Sequence, residues 1–247
     1  MRLAFSLALL FLTVLGLQAQ NLSKSDPSLS NKYKASDIID PRYGIQLYEG
    51  LNHWLEGDSL RKCNGTPCTG WVEDFYEAGQ KLHRGYYVDG ALKIYTNFFP
   101  DGKVEREFRA LDEHRYNIEK YYQNGNLKSK VKYYRGVALE WFDYHENGNL
   151  ELHEETSKGK DYVTLRKTYF ANGLMESELV LEDKKNKRYQ FKSYFENGNV
   201  QEEGQIEYSE EMLDYLRIFQ WKIYNESGKL VKQVDYIFGK INSEETF

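Results

Sequence analysis

The chain is poor in the residues and motifs that announce most chemistries. It carries two cysteines, four prolines and five histidines in 247 residues. Two cysteines with no histidine cluster beside them cannot complete the four-ligand shell of a structural zinc site. The sequences G-x-x-x-x-G-K-S/T, G-x-G-x-x-G and G-x-S-x-G do not occur, which removes the familiar phosphate cradles and the serine nucleophile elbow. Asp89-Gly90 and Asp101-Gly102 lack the D-x-D-x-D ladder of a calcium loop and read as turns. The formal charge is −5, without the clustered Lys and Arg that nucleic acid or an anionic membrane rewards. No cofactor and no metal are expected.

The apolar run Leu3–Leu17 falls short of the roughly 20 residues of a membrane span. With Arg2 before it and Leu17-Gln18-Ala19 behind it, residues 1–19 read as a signal peptide cleaved before Gln20, which predicts an exported, periplasmic or extracellular chain. No cysteine stands near that site to carry a lipid, so membrane binding is not expected after cleavage. Residues 20–42, rich in Ser, Lys, Asp and Asn, read as a flexible leader. Residues 43–69 read as an N-terminal cap segment. Leu47, Leu51 and Leu55 have helical spacing there while Gly44, Gly50 and Gly57 interrupt it, leaving a short helix and irregular backbone both open. Cys63 and Cys68 flank the turn sequence Asn64-Gly65-Thr66-Pro67 and are expected to close a disulfide across a hairpin, two free thiols being the alternative.

What the chain has in quantity is aromatic residues, 15% of the total, and a repeated word. YYQNGNL (Tyr121–Leu127) returns as YHENGNL, YFANGLM and YFENGNV, with weaker copies FYEAGQK, FFPDGKV and YNESGKL. Their glycines, Gly79, Gly102, Gly125, Gly148, Gly173, Gly198 and Gly228, are spaced by 23, 23, 23, 25, 25 and 30 residues. A near-constant period of that size marks a repeat architecture. Counting from the glycine, position −4 is aromatic in all seven copies, and position −3 holds Tyr76, Phe99, Tyr122, His145, Phe170, Phe195 and Asn225. Position −7 includes Trp141 and Trp221, and Trp71 sits one residue early, where a bulge could restore it to that column. Positions +2 and +8 differ by an even number, which predicts one shared strand face. Asn-Gly predicts a tight turn with two successive residues at positive φ, and a second turn closes each unit at +11, as at Gly90, Gly136, Gly159 and Gly239. Residues 70–247 are therefore expected to form an all-β, elongated antiparallel meander of about fourteen strands in seven hairpin repeats. Extra residues are expected at Lys184–Arg188 and Ser209–Tyr215.

These units resemble the MORN-variant repeat, whose pattern reads roughly G-x-W-x-x-Y-Y-x-N-G-x-L. Trp141–Leu150 and Trp221–Leu230 match it best, and Tyr121–Leu127 and Tyr194–Val200 keep its second half. The resemblance covers about Gly70 to Gly239 and departs from the pattern at Arg166 and Asn117–Ile118. Exported chains of this kind are similar to YwqK-family antitoxins, and the resemblance implies an antitoxin- or immunity-like protein contact.

Positions −4 and −3 lie on opposite faces of one strand, yet both are aromatic in most copies. A sheet with one dry face needs one such column. Either bulges change the parity, or one column is exposed, making Tyr76, Phe99, Tyr122, His145, Phe170 and Phe195 a candidate interaction surface. The first expectation is a non-enzymatic scaffold for a protein partner. The alternative is a glycan-binding module using exposed aromatics. A hydrolase comes third, because the pairs Glu154-Glu155 and Glu202-Glu203 would point to opposite strand faces and cannot converge.

Overall fold

The structure, a computed structural model, describes residues 32–33, 48–158 and 162–247. The signal-peptide segment, Gly159 and the leader apart from Lys32–Tyr33 lie outside the described residues. The chain divides into two compact units, residues 1–103 and 104–247.

In the first unit β1 (Lys32–Tyr33) pairs in parallel with β4 (Gly70–Tyr76), which continues antiparallel into β5 (Lys81–Val88) and β6 (Ala91–Phe98). A separate two-residue hairpin joins β2 (Lys62–Cys63) to β3 (Thr66–Pro67), and the Cys63–Cys68 disulfide closes over it with Cα atoms 5.0 Å apart. In the cap segment residues 43–47, Leu47 among them, lie outside the described residues; residues 48–49 are helical and His53–Leu55 form one 3-10 turn, so between Leu51 and Leu55 the backbone is turns rather than continuous helix. The reason is local. A Cβ on Gly57 would meet the Glu49 carbonyl oxygen at 2.2 Å, so the backbone doubles back on itself there.

The second unit runs through β7 (Val104–Ala110), β8 (Arg115–Tyr121), β9 (Leu127–Tyr134), β10 (Val137–Tyr144), β11 (Leu150–Thr156) and β12 (Val163–Tyr169). It continues through β13 (Met175–Asp183), β14 (Arg188–Tyr194), β15 (Val200–Ser209), β16 (Asp214–Tyr224), β17 (Leu230–Ile237) and β18 (Lys240–Thr246). From β8 on, each strand pairs antiparallel with the one before it. The fold is thus the all-β antiparallel meander that the period predicts. The extra residues expected at Lys184–Arg188 and Ser209–Tyr215 fall in turns at 184–187 and 210–213.

The two turns of each repeat differ in kind, and their assignment reverses the sequence expectation. At the Asn-Gly word only the glycine takes positive φ, for example 97° at Gly125. Gly125 N–H donates to Tyr122 O and Tyr122 N–H donates to Asn126 O. This is a type I turn closed by a glycine bulge, and the same pair of bonds recurs at all seven glycines. Paired positive φ values occur instead at Asn64–Gly65 and at the second turns Asp89–Gly90, Arg135–Gly136 and Phe238–Gly239. Those are the two-residue type I′ hairpins.

The bulge also settles the parity of the strands. Each described Asn-Gly hairpin shifts register between positions −5 and −4, so −4 pairs with +2 while −5 pairs with +4, as in Tyr121↔Leu127 and Lys120↔Ser129. The same shift recurs in the other copies. Positions +2 and +8 therefore lie on opposite faces, contrary to the even-number argument, because one residue at +3 is left out of the ladder. One face carries −7, −5, −3, +4, +6 and +8; the other carries −6, −4 and +2. The first is the core face. In the first unit it buries Val72, Tyr76, Tyr87 and Tyr95; in the second it buries Phe108, Val131, Leu179, Trp221 and Val234. Trp71 does not join the Trp141 and Trp221 column. The ladder runs unshifted from Gly70 to Asp74, so Val72 takes the buried place. Trp71 lies on the opposite face under the Arg84 guanidinium, 4.4 Å from the ring centre.

Candidate functional site

The six aromatic and histidine residues at −3 do not form an exposed stripe. Tyr76 is 2% exposed, and Phe99, Tyr122, His145, Phe170 and Phe195 are half-buried. Three of them tie one repeat to the next. Tyr76 donates its hydroxyl to Phe98 O at 2.7 Å, Tyr122 to Tyr144 O at 2.8 Å, and His145 Nε2 bonds Tyr169 O at 2.8 Å. The need is visible at Tyr144. The β9–β10 ladder is recorded only as far as Asp143↔Ser129, and the next carbonyl is met by a side chain instead of a backbone amide.

The −4 column works in the opposite direction along the chain. Tyr121, Tyr194 and Tyr224 donate to Glu107, Glu178 and Glu203, each at position +5 of the preceding repeat. Those glutamates belong to a cross-strand ladder that includes Glu119–Lys130 at 2.7 Å, Lys192–Glu203 at 3.2 Å and Lys167–Glu178 at 4.0 Å. Burial and then the bond to Glu178 push the Tyr194 phenol up to about 12. Two aromatic columns are thus present because each ties a different pair of neighbours.

The asparagines form a third tie, which turn chemistry alone does not require. Asn124 and Asn126 both donate their side-chain amides to Glu146 O, at 3.0 and 2.9 Å. Asn147 and Asn149 do the same to Ala171 O, and Asn197 and Asn199 to Glu226 O. Where Leu174 replaces the second asparagine, one bond remains, Asn172 to Glu196 O at 3.4 Å. The signal was in the sequence: N-G-N is spelled in three copies, and the turn needs only the first asparagine, whose Oδ1 accepts the N–H two residues on.

A buried polar cluster in the first unit had no sequence signature. Asp74 and His83 are fully buried and face each other across β4 and β5. Arg61 donates to both Asp74 oxygens, at 2.5 and 2.7 Å, and to the Tyr87 hydroxyl at 3.2 Å. Tyr48 donates to Asp74 at 2.9 Å and stacks on the His83 ring, 3.8 Å between centres. His83 Nδ1 lies 2.7 Å from Asn97 Oδ1 and Nε2 lies 3.0 Å from the Tyr87 hydroxyl. Those partners fit a neutral ring that donates from Nδ1 and accepts at Nε2. Burial first holds the His83 pKa down to about 4. Every polar tip here is turned to another residue of the chain, so the cluster fastens the cap segment to the sheet.

The carboxylate pairs diverge onto separate partners. Glu154 meets Arg166 at 2.6 Å and Glu155 lies 3.3 Å from His153; Glu202 meets Arg217 at 2.8 Å and Glu203 meets Lys192 and Tyr224. Among the described residues no group of three His, Cys, Asp or Glu is placed to hold a metal ion.

Exposed apolar surface concentrates at the last strands of the second unit. Among the described residues, seven of the twelve exposed large hydrophobic residues fall within 212–247. Tyr236 is the register partner of Phe219 on one side and of Ile241 on the other. Ile237 and Phe238 lead from it into the type I′ turn, and Met212 and Leu213 occupy the turn between β15 and β16. Phe238 is 71% and Ile241 59% exposed. Trp141, the tryptophan left 38% exposed at mid-unit, donates from its indole to Asp143.

Three stretches of the chain, residues 118–134, 190–208 and 220–237, match the MORN repeat variant. Each begins in one strand and runs through an Asn-Gly or Ser-Gly turn into the next. No curated protein matches the chain. The matches support a MORN-variant repeat protein, a family of non-catalytic repeats that commonly mediate interactions.

Proposed function

We propose that this MORN-variant chain is a non-catalytic scaffold that binds a protein partner through the apolar end of its second unit. The observation that carries the reading is the exposure of Phe219 and Ile241, the register partners of Tyr236, with Phe238 exposed in the adjoining turn. Solvated sheet faces rarely leave so many large apolar groups together without a partner to cover them. The repeated polar and aromatic residues are meanwhile engaged within the chain, which leaves few free groups for a reaction or for a glycan. Export completes the proposal, supported by the reading of residues 1–19 and by a disulfide of the kind that persists in oxidising compartments. An immunity-like contact, implied by the YwqK-family resemblance, would use the same surface.

The test is capture of interacting protein by the wild-type chain and by the double variant Phe238→Ser, Ile241→Lys. Both positions are exposed, so the variant is expected to keep its unfolding midpoint and lose most of the captured partner. Equal capture by both chains would remove this surface from the function. Quenching of tryptophan fluorescence by polysaccharide, with no protein captured, would transfer the reading to a glycan at Trp141.

A further inference from the structure

His83 stands where four segments meet. Its own strand contributes the Tyr87 hydroxyl at 3.0 Å to Nε2; β6 contributes Asn97 to Nδ1; β4 contributes Asp74 opposite it; and the cap segment contributes Tyr48, stacked on the ring, and Arg61, bound to both Asp74 and Tyr87. The charged groups facing the ring are therefore Asp74 and Arg61, already paired with each other. A neutral imidazole satisfies this arrangement completely. A second N–H on the ring would point at a hydroxyl that already receives Arg61, and no unengaged carboxylate stands by to stabilise the charge.

We propose that His83 is an acid-sensitive latch: protonation of its ring releases the segment 48–68 from the face of β4, β5 and β6. Few backbone bonds hold that segment otherwise. They are Arg61 N–H to Gly90 O, Gly90 N–H to Cys68 O and Leu92 N–H to Leu51 O, each 2.8–2.9 Å. Release uncovers Leu92, fully buried in the closed form, where its amide donates to Leu51 O. The acid step thus creates an apolar surface in the first unit, separate from the surface proposed above and independent of it.

The sign follows from the two protonation states. The ring's pKa in the closed form is about 4, below the roughly 6.5 of a free histidine. The latch is at full strength above about 6.5 and weakens as pH falls toward 4, because only the open form takes up the proton in that interval. Lowering the pH from 7 to 5 multiplies the open-to-closed ratio about twentyfold.

Hydrogen exchange tests it. For the wild-type chain, the protection factors of the Arg61, Gly90 and Leu92 amides, corrected for intrinsic rate, should fall about twentyfold from pH 7 to pH 5. Amides of β9 and β10 should not change. His83→Gln should start with lower protection and show no change over that interval. Asn97→Asp, which offers the imidazolium a carboxylate, raises the closed-form pKa toward that of a free histidine and should shrink the loss over that interval. Unchanged wild-type protection, an acid response retained in His83→Gln, or a full twentyfold loss retained in Asn97→Asp would each overturn the latch. If His83→Gln does not fold, the wild-type and Asn97→Asp measurements decide it.

Discussion

Replacing Asp74 with alanine is expected to destabilise the chain by about 3–5 kcal/mol, the usual cost of stranding the partner of a buried ion pair. Arg61 is 8% exposed and its guanidinium is aimed at both Asp74 oxygens. Without Asp74 it keeps one neutral acceptor, the Tyr87 hydroxyl, while Tyr48 loses the acceptor of its own hydroxyl. Urea unfolding followed by tryptophan fluorescence gives the loss. The double variant Arg61→Met, Asp74→Leu should cost less than Asp74→Ala alone, because it strands no charge. A single-variant loss below about 1 kcal/mol would mean that the cluster is wet and the cap loosely held.

Trp221→Ala is expected to cost a similar amount, about 3–5 kcal/mol, in the second unit. The indole is 1% exposed and donates to Gln205 O at 3.1 Å. Arg217 covers its face at 4.0 Å, and Phe191 lies 5.7 Å away. It rests on Gly204, where a Cβ would fall 2.4 Å from the ring. Gly204→Ala should therefore destabilise by about 1–3 kcal/mol with no polar group altered, since a rigid indole cannot yield to it. The pair of variants separates lost packing from overpacking at one contact. A neutral Gly204→Ala would show that the ring moves freely and that the buried column of the second unit is less tightly packed than described.

The fold was largely legible in the sequence because a repeat writes its rules seven times. Seven glycines at a regular period locate the hairpins, and the polar and apolar columns locate the strands. What misled was arithmetic on those columns. A bulge that occurs once per hairpin flips the parity between +2 and +4, so the buried +6 column of Phe108, Val131, Leu179 and Val234 went unread while +2 was placed on the wrong face. Asn-Gly suits a type I turn with a glycine bulge as well as a type I′ turn, and only the bonds at Tyr122 and Gly125 distinguish them.

The sites were less legible, for a different reason. Arg61, Asp74, His83 and Asn97 come from four segments, and only Asp74, His83 and Asn97 hold repeat positions, where most other copies carry other residues. Nothing in spacing brings Arg61 to Asp74; that requires the cap to fold over the sheet. The aromatic surplus was noticed correctly as needing two explanations. Its resolution lies in hydroxyls that reach forward from −3 and backward from −4, a role that a hydrophobicity pattern does not reveal.

The most direct test of the account places a photo-crosslinking residue at one of three positions, Phe238, Tyr122 or Phe170, in the full chain expressed in its own cells. The account predicts a defined protein adduct from Phe238 and none from Tyr122 or Phe170, because the latter two are half-buried between repeats. Adducts from the −3 column with none from Phe238 would contradict it, and would make the repeated aromatics the binding surface after all.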